Sequence, residues 1–80
     1  MPGFTPDDIE PLGRVPDSTA LDFAVTRNGQ ALGQVRVASA HYLALTGQDV
    51  RAYVAERLTH LEAHIEPAEF ESALQAVLDL

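Results

Sequence analysis

The sequence predicts a small α+β domain: a two-stranded antiparallel β-hairpin followed by three helices, with an extended arm in front. Three observations carry that reading. Leu21, Phe23 and Val25 alternate with Asp22, Ala24 and Thr26, the period-two pattern of a half-buried strand. Asn28-Gly29 follows, a pair that accepts the positive φ of a type I′ hairpin turn. Further on, Val50, Tyr53, Val54, Leu58, Leu61 and Ile65 recur at helical spacing.

The arm covers residues 1–19 and the single α+β domain residues 20–80. Pro2, Pro6, Pro11 and Pro16 fall in the arm, with Gly3 and Gly13 between them. Proline fixes φ and biases the preceding residue away from helix. The arm is therefore expected to be extended or loop-like, with at most one helical turn around 6–10. Its apolar residues Phe4, Ile9, Leu12 and Val15 are spaced to dock one at a time.

The hairpin is expected over about 20–26 and 30–38. A plain two-residue turn would pair Phe23 with Gln34 and leave Val35 and Val37 on the wrong face, because side chains alternate strictly along a strand. One extra residue at 32–34 restores the pattern, setting Phe23 opposite Val35 and Leu21 opposite Val37. A bulge near Gly33 is the expected device.

Ser39 is placed to cap a short helix over 40–45. Thr46 and Asp49, three apart, suit the start of a long amphipathic helix over about 47–65. Glu66-Pro67 ends it and opens a C-terminal helix over about 67–80, with Phe70, Leu74, Val77 and Leu78 on one face. Asp79 sits unfavourably at the negative end of that helix, so packing has to hold it. A hairpin alone leaves both its edges unpaired. The expected solution is a homodimer, two copies joined edge to edge into a four-stranded antiparallel sheet; the alternative is a monomer whose arm covers the open edge.

Composition narrows the function. The chain has 80 residues, 12 acidic against 5 basic, for a formal net charge of −7. It contains no Cys, which removes disulfides, thiolate metal sites and a cysteine nucleophile. It also contains no Lys, so no Gly-Lys-Ser/Thr phosphate loop can exist. No apolar run approaches the ~18 residues of a membrane span, and the opening Met1-Pro2-Gly3-Phe4 lacks the features of a signal peptide. The short and long helices resemble a helix-turn-helix in order, but Arg51 and Arg57 are outnumbered by Asp49, Glu56, Glu62 and Glu66, the wrong sign for phosphate contacts. Neither Ser18 nor Ser39 has the glycine-flanked setting of a hydrolase nucleophile. The expectation is a cytoplasmic protein with no catalytic activity and no cofactor, contacting neither nucleic acid nor membrane.

Two sets of residues remain as candidates. Tyr53, Arg57, Phe70, Leu74 and Leu78, on the two long helices, are the expected contact surface for another protein, one with a basic surface that net negative charge would steer in. This is the reading of an adaptor, inhibitor or other regulatory module. Glu56, His60 and His64, spaced by four along one helix, are the alternative: a metal- or small-ligand-binding row, since imidazoles one turn apart can share a divalent ion. It is not the metalloprotease helix, which needs Glu directly after the first His where this chain has Leu61. His41 is expected to be a partly solvated residue of the short helix.

Overall fold

A computed structural model describes residues 3–44 and 49–80. Along the chain run a single 3-10 turn (Pro6–Asp8), β1 (Ile9–Arg14), β2 (Leu21–Arg27), β3 (Gln30–Val37), α1 (Ser39–Tyr42), α2 (Val50–Glu62), α3 (Pro67–Gln75) and β4 (Leu78–Asp79). The strands make one sheet in the order β1-β2-β3-β4. β1, β2 and β3 are antiparallel neighbours, and β4 runs parallel to β3.

The α+β class and the hairpin register are as the sequence predicts. Phe23 faces Val35 and Leu21 faces Val37. The register shifts between the pairs Val25–Gly33 and Thr26–Ala31, so Leu32 is the extra residue. Asn28 and Gly29 both take positive φ, 54° and 78°, and close the hairpin as a type I′ turn. Gly33 has a further reason to lack a side chain. A Cβ there would overlap the Leu74 carbonyl and lie 2.7 Å from the Leu74 Cβ. Glycine at this position lets α3 rest directly on the β3 backbone.

The arm is corrected. After its 3-10 turn it enters the sheet as β1, an edge strand paired along β2 from Ile9–Val25 to Arg14–Leu21. Residues 15–20 return the chain: the Ser18 amide donates to the Val15 carbonyl at 3.1 Å, and Asp17 takes φ 60° after Pro16. Proline followed by a left-handed residue is the signature of a type II turn. Residues 9–14 are thus part of the sheet, where β1 supplies the edge that β2 lacks.

The C-terminal helix is corrected as well. It stops at Gln75, and Val77 turns back with φ 62°. Leu78 and Asp79 then pair with Val35 and Arg36, and the Leu80 amide donates to the Arg36 carbonyl at 2.8 Å. A left-handed β-branched residue costs about 1–2 kcal/mol. Against that stand the β3 backbone groups satisfied along this edge and the packing of Leu78 and Leu80 on the core. The expected two-stranded hairpin is therefore the middle of a four-stranded sheet completed within one chain. β1 covers the β2 edge of the hairpin, and β4 covers the β3 edge at Val35 and Arg36.

Asp49 caps α2, its carboxylate accepting from the Arg51 amide at 2.9 Å. Thr46, the other half of the expected cap, lies outside the described residues, as does the end of the short helix expected to reach Leu45. Ser39 is not a cap. It is the first residue of α1, flanked by Ala38 with no side-chain bond. Pro67 opens α3 as expected, behind Glu66.

The core lies between one face of the sheet and the helices. Val25, Val35, Val37, Val54, Leu58 and Leu74 have no exposed surface, and Ile9, Phe23, Ala55 and Phe70 are nearly as buried. No buried residue is polar or charged among those described. Outward positions of the sheet are polar, with Asp22 and Arg36 directly opposite each other and joined at 2.9 Å.

Candidate functional site

Two regions hold the chemistry-bearing side chains: a knot around Arg27 and the end of α2. Arg27, the last residue of β2, reaches across to α2. Its guanidinium donates to both Glu62 carboxylate oxygens at 2.8 Å and to the Gly3 carbonyl at 2.9 Å. The same group lies over the Phe4 ring, 4.1 Å from its centroid. Phe4 in turn packs on Phe70 with centroids 5.8 Å apart, and its amide donates to Thr59 Oγ1 at 2.9 Å. Thr26 Oγ1 donates to the Asp8 carbonyl at 3.3 Å. The start of the chain is held by β2, α2 and α3 together.

The planar fork of arginine suits this place, because it binds a carboxylate at two points and stacks on a ring at once. The hydrogen bond from Arg27 holds the Glu62 carboxyl below its ordinary value of 4.5, against partial burial that pushes the other way. The reciprocal bond raises Arg27. Glu62 carries less proton folded than unfolded near its titration. Its stabilising contribution is complete above the unfolded value and fades as the pH falls through the lower folded one. Acid unfolding is therefore expected to begin below about pH 4.5 and to be shallower in a Glu62→Gln variant. Circular dichroism against pH checks this, and identical acid limbs in the two proteins would contradict it.

A cleft beside the knot, about 410 Å³, is lined by Gly3, Phe4, Thr5, Asp8, Arg27 and Thr59. The cation at its wall is already neutralised by Glu62, so the cleft has no free charge to hold an anion. An apolar pocket of about 290 Å³ lies between β1, β2 and the start of α2, walled by Pro11, Leu21, Phe23 and Val50.

The expected contact surface separates into two kinds of residue. Phe70 and Leu74 are core, 3 % and 0 % exposed, and cannot meet a partner in this fold. Leu78 and Tyr53 are half-buried and pack against that core. Of the five, only Arg57 is fully at the surface. The periodicity that marked these positions was the chain's own packing. Phe4 and Ile9, read as docking residues of the arm, are also core. Among the described residues, the large apolar side chains that do face solvent are Leu12, 51 % exposed on the bulge of β1, and Leu43, 74 % exposed after α1.

The expected metal row is shortened to a pair. α2 ends at Glu62, so His64 lies beyond the helix and cannot continue a row from Glu56. Its ring instead folds back, Nδ1 lying 2.8 Å from the His60 carbonyl and the two imidazole centroids 4.4 Å apart. All three residues are exposed. Among the described residues, no three His, Asp or Glu side chains are grouped to hold a metal ion. His41 is engaged elsewhere, its Nδ1 lying 2.7 Å from the Leu80 carbonyl.

Sequence reasoning did not find the Arg27–Glu62–Phe4 knot. Arg27 follows a strand and Glu62 sits 35 residues later on a helix, so no local spacing links them. The available hint was that Glu62 flanks the apolar stripe of α2. No family model, no curated protein and no solved structure matches this chain. Among the described residues no helix is long and apolar enough to cross a membrane.

Proposed function

We propose that this protein is a non-catalytic protein-interaction module, acting in the cytoplasm on a partner with a basic surface. The supporting observation is how its charge is distributed. Arg27, Arg36 and Arg51 are each joined to a carboxylate of the same chain. Arg14 and Arg57 remain to offset the exposed carboxylates, which include Glu56, Glu66, Glu69 and Glu71 on the helices. The surface offered to a partner is therefore more one-sided in sign than the composition. Such a field speeds encounters with a cationic surface and turns anionic ones away.

Its contacts would be polar carboxylates rather than the apolar stripes, which the core has absorbed. The expected partner is a different protein, since two copies of a chain this acidic repel and the hairpin is flanked by β1 and, at Val35 and Arg36, by β4. The test compares immobilised wild type with a Glu66→Gln, Glu69→Gln, Glu71→Gln variant. A specific partner should be retained by wild type, elute as salt rises and be lost on the variant. Retention that ignores both salt and the substitutions would overturn the proposal.

A further inference from the structure

We infer that His60 and His64 form a two-imidazole site for a divalent transition-metal ion at the C-terminal end of α2, with its remaining coordination positions left to water. The inference goes beyond the partner-binding reading and does not depend on it. Both rings are exposed, and their centroids are 4.4 Å apart with an interplanar angle of 32°. Two nitrogens bound to one ion at about 2.0–2.1 Å must themselves come within about 3 Å. Rings already in contact reach that by small side-chain rotations, with no change in the backbone.

A second observation concerns how His64 is set. Its Nδ1 is engaged by the His60 carbonyl at 2.8 Å, an interaction in which the ring nitrogen donates. That leaves Nε2 of His64 carrying the free lone pair. Fixing one ring nitrogen on a backbone carbonyl is the usual way a protein orients a metal-binding imidazole and selects its tautomer. The same carbonyl belongs to the last turn of α2, where the helix dipole favours positive charge.

Nearby charges agree in part. Glu56 lies one turn before His60 and Glu66 just beyond His64, both exposed, while Arg57 opposes them from the same stretch of α2. Two neutral imidazoles and open positions suit Cu²⁺, Ni²⁺ and Zn²⁺, with Cu²⁺ bound most tightly, and do not suit Mg²⁺ or Ca²⁺. With two protein ligands the site is weaker than a structural zinc cage. It would serve as a sensing or exchange position, and the fold does not need it.

The test is isothermal titration and native mass spectrometry of the untagged chain with Cu²⁺, Zn²⁺ and Mg²⁺ as the probes. One Cu²⁺ per chain is expected, with weaker binding of Zn²⁺ and none of Mg²⁺. His60→Ala and His64→Ala should each reduce Cu²⁺ affinity at least tenfold, and His41→Ala should leave it unchanged. The three residues are exposed, so thermal melts of the metal-free variants should match wild type, which separates lost binding from lost fold. Wild type that binds no Cu²⁺, or a His60→Ala, His64→Ala double variant that binds it as well as wild type, would overturn the inference.

Discussion

Replacing Phe4 with alanine is expected to cost about 3–4 kcal/mol of stability. That is a large part of the roughly 4–12 kcal/mol available to a chain of this length. In a sequence read as an arm and a domain, such an effect from residue 4 would be surprising. The structure explains it. Phe4 is only 9 % exposed, lies against Phe70, and carries the Arg27 guanidinium over its ring. Alanine would leave a cavity between β2, α2 and α3 and would uncover the buried part of Arg27. A fall in melting temperature of roughly 15 °C is the expected reading, with Phe4→Leu falling less because it refills most of the volume. A Phe4→Ala protein that melts with wild type would mean that the first residues do not pack as described.

Gly33→Ala is the second large effect, expected at about 3 kcal/mol. The added methyl would land on the Leu74 carbonyl and beside its Cβ, backbone and core atoms that cannot step aside without lifting α3 off β3. Gly29→Ala is the comparison. It also sits in the hairpin, at φ 78°, but a Cβ there meets nothing within 4 Å. It should cost only the left-handed backbone strain of about 1–2 kcal/mol. Chemical denaturation of the two variants separates close approach from turn geometry. Equal losses would show that Gly33 serves the bulge alone.

These two positions also show what the sequence could reveal. The hairpin was legible down to its register, because alternation, the Asn-Gly turn and one misplaced residue in the second strand leave a single solution. Gly33 was read correctly as special, yet its stronger reason comes from Leu74, which lies 41 positions away. β1 was hidden by its own composition, as Pro11 and Gly13 within six residues read as a loop, and an edge strand is where proline is tolerated. β4 was hidden inside an apolar period that suits a helix, since Val77 accepts a left-handed conformation no propensity would assign it. Two of the candidate contact residues, Phe70 and Leu74, lie in the core for a related reason. A stripe at helical spacing marks a buried face without saying whether the chain itself or a partner buries it, and here Phe70 and Leu74 meet the sheet. The Glu56, His60 and His64 row assumed a helix running to residue 65, and its earlier end leaves the two imidazoles together and the carboxylate apart.

β1 and β4 flank the hairpin within a single chain, the arrangement expected of a monomer that offers its acidic surface to a different partner. β1 also resists further pairing at its outer edge, because Pro11 lacks an amide hydrogen and Leu12 is bulged out of register. Native mass spectrometry of the purified chain across a dilution series tests this most directly. A monomer at every concentration is the expected result. A dimer that persists on dilution would contradict it and return the sheet edges to the role of an interface between copies.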